Sequence, residues 1–244
     1  GIIAANANNN MGYAGVDWNC KIMVCKILSE DGFGLYSWWI DAIYYAVDNG
    51  AKVINMSFGK SYSPQKEAVD KAVKYAESQG VLLVHAAGNS SEDIDEMPNF
   101  PSRSYADSRK QADNWIEVGA SSWKSEEEFV AEFSNYGKKT VDVFAPGVDL
   151  YSTTPEQQYE NQSGTSMASP VTAGVAALIL SYYPQLDAEQ VKEVILESTV
   201  KMGKMKVARP GGAEELVNFE NLSRTGGVVN AYEAIKFAES YKTK

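Results

Sequence analysis

Residues 81–87, Val-Leu-Leu-Val-His-Ala-Ala, form a nearly continuous apolar run that starts after Gly80 and stops at Gly88-Asn89. A strand with one wet face would alternate apolar and polar side chains. A run this uniform fits a strand covered on both faces, as in a parallel sheet with helices above and below it. Residues 53–57, 116–121 and 141–145 are further strand-like segments, and residues 21–28 (KIMVCKIL) also read as a buried strand. Helix-like segments at 36–49 and 64–79 separate the early strands, and Trp39, Ile43 and Ala46 share one face of the first. Later helices are expected at 167–182, 187–198 and 231–241. Strands separated by helices imply an α/β fold with a doubly wound, mostly parallel sheet and right-handed crossovers.

Two stretches break this rhythm. Residues 90–114 are a polar loop with Pro98 and Pro101, and residues 201–227 are a second, with Pro210 and paired glycines. Loops of this length commonly form functional rims or insertions. No repeat or low-complexity linker divides the chain, so residues 1–244 are expected to form one domain. The formal charge of −10 excludes nucleic acid as a partner, because a phosphate backbone needs a basic face. Acidic and basic residues are interspersed, as on a solvated surface. There is no stretch near the roughly 18 uninterrupted apolar residues of a membrane span, and residues 1–6 lack the basic start of a signal peptide. Cys20 and Cys25 would sit on opposite faces of the strand expected at 21–28, out of reach of each other.

The segment with chemical content is Gly164-Thr165-Ser166-Met167-Ala168-Ser169-Pro170, which leads into an Ala- and Gly-rich apolar helix. Ser166 falls at the helix N-terminus, where unpaired amides and the positive end of the dipole favour a developing negative charge. Pro170 is expected in the first turn, where its missing N–H costs little. Ala173, Gly174, Ala176 and Ala177 keep the helix slim. On spacing alone, an ordinary serine cap accounts for Ser166 better than a nucleophile does.

The whole heptapeptide resembles the nucleophile segment of the subtilisin-like (S8) serine peptidases. Other segments resemble that family in the same order: Tyr36-Ser37-Trp38 and Val53 to Gly59 for the cleft, Ala86-Ala87-Gly88-Asn89 for the oxyanion motif, Ala145 to Val148 for the turn before the nucleophile, and Gly227 to Ala231 before the closing helix. The resemblance implies a three-layer sandwich in which Ser166 attacks the scissile carbonyl. Asn89 and the Ser166 N–H would hold the oxyanion, and Ser57, Phe58 and Gly59 would offer an edge to a polypeptide substrate. By its residues alone, Asn89 is equally a turn-forming asparagine. Asn99 would lie near the base of the pocket beside the scissile bond. No cofactor is needed for the chemistry. Residues 7–16 resemble a loop that contributes to a structural calcium site, though an Asn/Gly-rich turn explains them equally well. Met167, Trp38 and Trp39 read as core at helical spacing. The family implies an extracellular or periplasmic location, and the two free cysteines leave an intracellular one open.

A serine hydroxyl needs a base, and the base needs an orienting carboxylate. In this family both precede the serine, in D-[ST]-G and H-G-T-H motifs that do not occur here. Residues 1–6 resemble the end of the helix bearing that histidine. The resemblance therefore implies a domain without its N-terminal strands and without two of three triad residues. The single histidine, His85, reads as a buried structural residue and not as a replacement base. The chain alone is expected to be almost inert. A central strand would be absent between residues 21–28 and 53–57. Those strands are expected to close the gap, or a preceding segment or second copy to fill it. The rival reading is an inactive pseudoprotease or peptide-binding module.

Overall fold

The uniformly apolar runs do become the buried middle of one sheet. The computed structural model describes residues 1–124 and 126–243. In chain order its elements are α1 (Tyr36–Asp48), β1 (Val53–Met56), α2 (Lys66–Ser78), β2 (Leu82–Ala86), β3 (Trp115–Ser121) and β4 (Val143–Pro146). They continue with β5 (Leu150–Thr154), β6 (Gln158–Gln162), α3 (Thr165–Tyr182), α4 (Ala188–Glu197), β7 (Val200–Lys201), β8 (Lys206–Arg209), β9 (Gly212–Asn218), β10 (Gly227–Val228) and α5 (Ala231–Glu239). The main sheet runs β1-β2-β3-β4-β10-β7, parallel except for β7.

Period-two alternation within β2 and β3 divides the core between two layers of helices. Leu83 and Trp115 pack with α1 and α2 through Ile43, Val69 and Val73. Leu82, Val84, Ile116 and Val118 face the other way, onto Ala176 and Ile179 of α3 and onto residues of α4 and α5. The expected α/β architecture, helices on both faces of a mostly parallel sheet, is therefore present. By length and composition α3 could cross a membrane, yet 56% of it is buried inside this fold. Helix α4 is fixed by a capping box, with Gln190 N donating to Asp187 Oδ1 at 2.8 Å and Asp187 N to Gln190 Oε1 at 3.0 Å.

Three expectations need correction. Residues 21–28 are not a buried strand. Residues 21–27 make no backbone hydrogen bond to other described residues, and Val24 is 82% exposed. A strand needs a neighbouring ladder. Among the described residues β1 pairs only with β2, and a cavity of about 890 Å³ separates its free edge from this segment. The two edges accordingly do not close on each other. Residues 201–227 are not one long loop, because β8 and β9 form an antiparallel hairpin there. Its Val207 packs with Phe144, Phe219 and Leu222 in a third core cluster. Residues 150–162 add a second hairpin, β5-β6. Residues 90–114 are irregular as expected, but they are anchored. Arg103, 4% exposed, donates through Nη1 to Asp142 Oδ1 at 3.0 Å, and Arg224 Nη1 joins the same oxygen at 3.0 Å. Burial works against the Arg103 charge, but Asp142 outweighs it and holds the guanidinium above its ordinary range.

Ile179 is fully buried between α3 and the sheet. Replacing it with alanine is expected to lower stability by about 2–5 kcal/mol. The check is a lower urea midpoint with an unchanged slope.

Candidate active site

Ser166 is the second residue of α3, and the cap is Gly164, so the serine is not an ordinary N-cap. Its own N–H bonds no group among the described residues. Gly164 has φ 154 and no side chain, and a Cβ built there would lie 3.5 Å from Asn89 Nδ2 and 3.6 Å from Ser166 N. Two donors thus converge on one spot that only glycine leaves open. Pro170 is the sixth residue of the helix, beyond the first turn where it was expected. Lacking an N–H, it leaves the Ser166 carbonyl without its helical partner. Ser57 Oγ fills that vacancy, donating to Ser166 O at 2.9 Å. Ser166 Oγ in turn donates to Ser57 O at 3.3 Å.

The Asn89 amide has a defined orientation. Its Oδ1 accepts from Thr165 N and from Thr165 Oγ1, both at 2.9 Å. An N–H can only donate, so the oxygen must face Thr165 and Nδ2 must face away. Thr165 Oγ1 also accepts from Gly88 N at 3.1 Å. The turn beneath is held by Asn135, which donates to Ala87 O at 2.8 Å and accepts from Ser90 N and Glu92 N at 3.0 Å each. Gly88 has φ 104, and a Cβ there would sit 2.5 Å from Asn135 Nδ2, so a side chain is excluded.

Ser57, Phe58 and Gly59 continue from β1 toward a pocket of about 230 Å³ lined also by Gly88, Asn89 and Ser166. Asn99 is at this pocket as expected, with Nδ2 donating to Ala86 O and Ala87 O at 3.3 and 3.1 Å. Lys60 and Phe100 exchange two backbone hydrogen bonds of 2.8 Å, which fixes the far wall. On the opposite side of Ser166 lies a cavity of about 620 Å³, with Asn55, Tyr13 and Tyr159 in its walls. Among the described residues, Ser57 O is the sole hydrogen-bond partner of Ser166 Oγ. His85 is fully buried, with both ring nitrogens engaged elsewhere. The arrangement offers a hydroxyl, two N–H donors facing one open spot and a backbone segment beside a pocket, with no base beside the hydroxyl among the described residues.

The loop at residues 7–16 turns through positive φ at Asn8, Asn10 and Gly12. Asn9 Oδ1 already accepts from Met11 N at 3.1 Å. No group of three or more His, Cys, Asp or Glu placed to hold a metal ion occurs among the described residues. This loop by itself does not fit calcium, which wants six to eight oxygens with carboxylates among them. Trp39 is core, whereas Trp38 is 39% exposed. Both cysteines are free. The roles of Thr165, Asn135 and Asn55 escaped the sequence reading. Asn55 donates to Ser57 Oγ at 3.0 Å and accepts from Ser169 Oγ at 2.7 Å. Of the three only Asn55 carried a signal, as a polar residue interrupting the apolar run 53–56.

A family model described as "Subtilase family" matches residues 1–225. The chain is 40% identical over 206 residues to Subtilisin DY of Bacillus licheniformis, an alignment covering 83% of this chain and 69% of that protein. It is 42% identical over 181 residues to a thermophilic serine proteinase of Bacillus sp. (strain AK1), covering 74% of this chain and 41% of that protein. Several other relatives are spanned only to about half, as with Subtilisin E of Bacillus subtilis (strain 168) at 48%. Among solved structures, one of the proteases from Pseudoalteromonas arctica PAMC 21717 superposes with a TM-score of 0.75 at 28% identity, covering 98% of this chain and 69% of that one.

The exchange between Ser57 and Ser166 yields a thermodynamic cycle. Ser57→Ala strands the Ser166 carbonyl and should cost about 1–3 kcal/mol in urea unfolding. In a Pro170→Ala background, where residue 170 regains an N–H, the same change should cost measurably less. Strict additivity would mean that no such pairing exists.

Proposed function

The chain belongs to the subtilase family, and on that premise we propose that it carries the nucleophile, oxyanion donors and peptide-binding edge of a serine endopeptidase. The observation that carries this reading is the convergence of Ser166 N and Asn89 Nδ2 on the open face of Gly164. A peptide carbonyl set there presents its carbon to Ser166 Oγ. As Oγ attacks, the carbonyl oxygen becomes an oxyanion between two donors already in place, at the positive end of α3. The substrate backbone adds alongside Ser57, Phe58 and Gly59, with one side chain in the 230 Å³ pocket. No cofactor enters this scheme.

The Oγ proton has to leave during attack, and Ser57 O, its partner at 3.3 Å, is not a base. A base and its carboxylate must therefore reach Ser166 from beyond the groups described here, and the 620 Å³ cavity beside the hydroxyl gives them room. Without them turnover is very low. In subtilisin itself, loss of the histidine base costs about 10⁶-fold. The free edge of β1 and its 890 Å³ cavity favour a further strand at that place, from a preceding segment or a second copy. Family membership supports an extracellular or periplasmic site of action. The alternative, a pseudoprotease that retains only the groove, draws on the absence of a base beside Ser166 among the described residues.

Imidazole is small enough for the cavity and can serve as an external base. A fluorophosphonate should label Ser166 slowly, and faster as imidazole is added, with Ser166→Ala unlabelled by mass spectrometry. Asn89→Ala should lower the imidazole-dependent rate by about 10²–10³, the loss known for the corresponding change in subtilisin. A correctly folded chain that is never labelled would favour the pseudoprotease.

A further inference from the structure

Pairing between β1 and β2 ends at Met56 and His85. Beyond that register the two segments part, and the 230 Å³ pocket opens between Phe58-Gly59 and Ala86-Gly88. Strands that part leave backbone acceptors behind, and buried acceptors need partners. On the β2 side, Asn99 covers Ala86 O and Ala87 O. On the β1 side, His85 Nε2 covers Phe58 O at 2.8 Å.

The proton count follows from these partners. A carbonyl oxygen only accepts, so Nε2 carries a hydrogen. Nδ1 lies 2.8 Å from Glu117 Oε1, which is too close for two facing lone pairs. A second proton must occupy that contact, on the ring or on the carboxyl. Glu117 stands directly across from His85 in the β2–β3 register, and its Oε2 accepts from Trp115 Nε1 at 2.7 Å. His85 is 0% and Glu117 2% exposed. With the extra proton the pair is neutral overall, whereas without it one negative charge would be buried beside a neutral ring.

We infer that His85 and Glu117 share one proton, and that His85 is thereby a positioning residue for the peptide-binding edge at Ser57, Phe58 and Gly59. This rests on the reading of that edge given above. Successive peptide groups of an extended segment point to opposite sides. With Phe58 O held inward by the ring, the peptide groups of Ser57 and Gly59 turn toward the cleft. Ser57 O, which meets Ser166 Oγ at 3.3 Å, lies on that cleft side. The Phe58 ring is held as well, 4.4 Å from Trp39 and edge-on to His85 at 6.4 Å between centroids. The same segment is tied at Lys60 to Phe100. His85 thus anchors the segment between its contacts with Ser166 at Ser57 and its tie to Phe100 at Lys60.

His85 is the sole histidine in the chain, so its imidazole signals are unambiguous by nitrogen-15 NMR. The expected spectrum at neutral pH shows two exchangeable protons, one on Nε2 and one bridging Nδ1 to Glu117. A ring associated with a single exchangeable proton overturns the inference. Two substitutions then separate positioning from stability. In His85→Gln the amide nitrogen falls near the place of Nε2 and keeps a donor for Phe58, whereas His85→Asn reaches only toward Glu117. The probe is an acetylated tetra-alanine aldehyde, with thermal stability measured alongside. The Asn variant should bind it about tenfold more weakly than the unsubstituted chain, the scale of one lost hydrogen bond, and the Gln variant nearly as well as that chain. Equal binding by the two variants overturns the positioning role alone. Failure of the unsubstituted chain to bind the aldehyde overturns the peptide-edge reading and the positioning role together, while leaving the proton count intact.

Discussion

Two hydrogen bonds from Thr165 hold the side-chain oxygen of Asn89, and the geometry of the site descends from them. Thr165 is the first residue of α3, and Asn89 stands just past the end of β2. One contact therefore docks helix to sheet and turns the amide hydrogens toward the open spot beside Gly164 that the Ser166 N–H also borders. An asparagine free to flip would present oxygen to an oxyanion in half its states. Here the flip would set the Asn89 amide hydrogens against the donating Thr165 N–H, so it is excluded. Preorganisation at this site is a consequence of donor and acceptor identity.

The same logic extends along the line where β1 and β2 separate. In an open α/β sheet the carboxyl ends of the strands are where a crevice forms. What distinguishes this crevice is how the lost ladder bonds are replaced. Asn135 and Asn99 take carbonyls of residues 86–87, His85 takes Phe58, and Ser57 takes the carbonyl that Pro170 releases inside α3. Each polar side chain covers a backbone group the diverging elements would have left bare. A net hydrogen bond is worth only about 1 kcal/mol, but a buried unpaired group costs about 1–3. These side chains therefore matter less as a source of stability than as conditions for holding the cleft open.

Much of this was legible in the sequence because it follows from local pattern. A nearly uniform apolar run gave β2, shorter apolar segments holding one carboxylate each gave β3 and β4, and the 3.6 period gave the helices. The GTSMASP and AAGN segments located Ser166 and Asn89. The two hairpins were hidden for a physical reason. Residues 158–162 (QYENQ) and 212–218 carry polar and charged side chains, so their pairing shows no hydrophobic periodicity. Pro170 was misplaced because the helix starts at Thr165, two residues before the start set by apolar spacing. The long-range partners of Asn135 and His85 depend on which strands adjoin, and no local pattern states that.

Residues 21–28 show where local pattern fails outright. By composition the segment is as apolar as β2, yet Ile22 and Val24 are more than half exposed. Apolar character drives burial only where a surface exists to receive it, and a strand exists only through its ladder. The receiving surface would be the free edge of β1, across a cavity whose wall includes Ile54, Met56 and Leu180. Trp39 lines that cavity too. It is 2% exposed, and its Nε1 has no acceptor among the described residues. An unpaired strand edge, an orphaned indole N–H and an exposed apolar segment thus meet in one place. Polar clasps between α3 and the β1 segment, at Ser57 and Asn55, hold β1 to the helix, so the site keeps its geometry next to the least satisfied region of the fold. The Ser166 hydroxyl and the N–H groups of Ser166 and Asn89 depend on α3 and β2, and the unsatisfied slot depends on β1 and residues 21–28. Filling that slot would change what lies beside Ser166 without having to rebuild it.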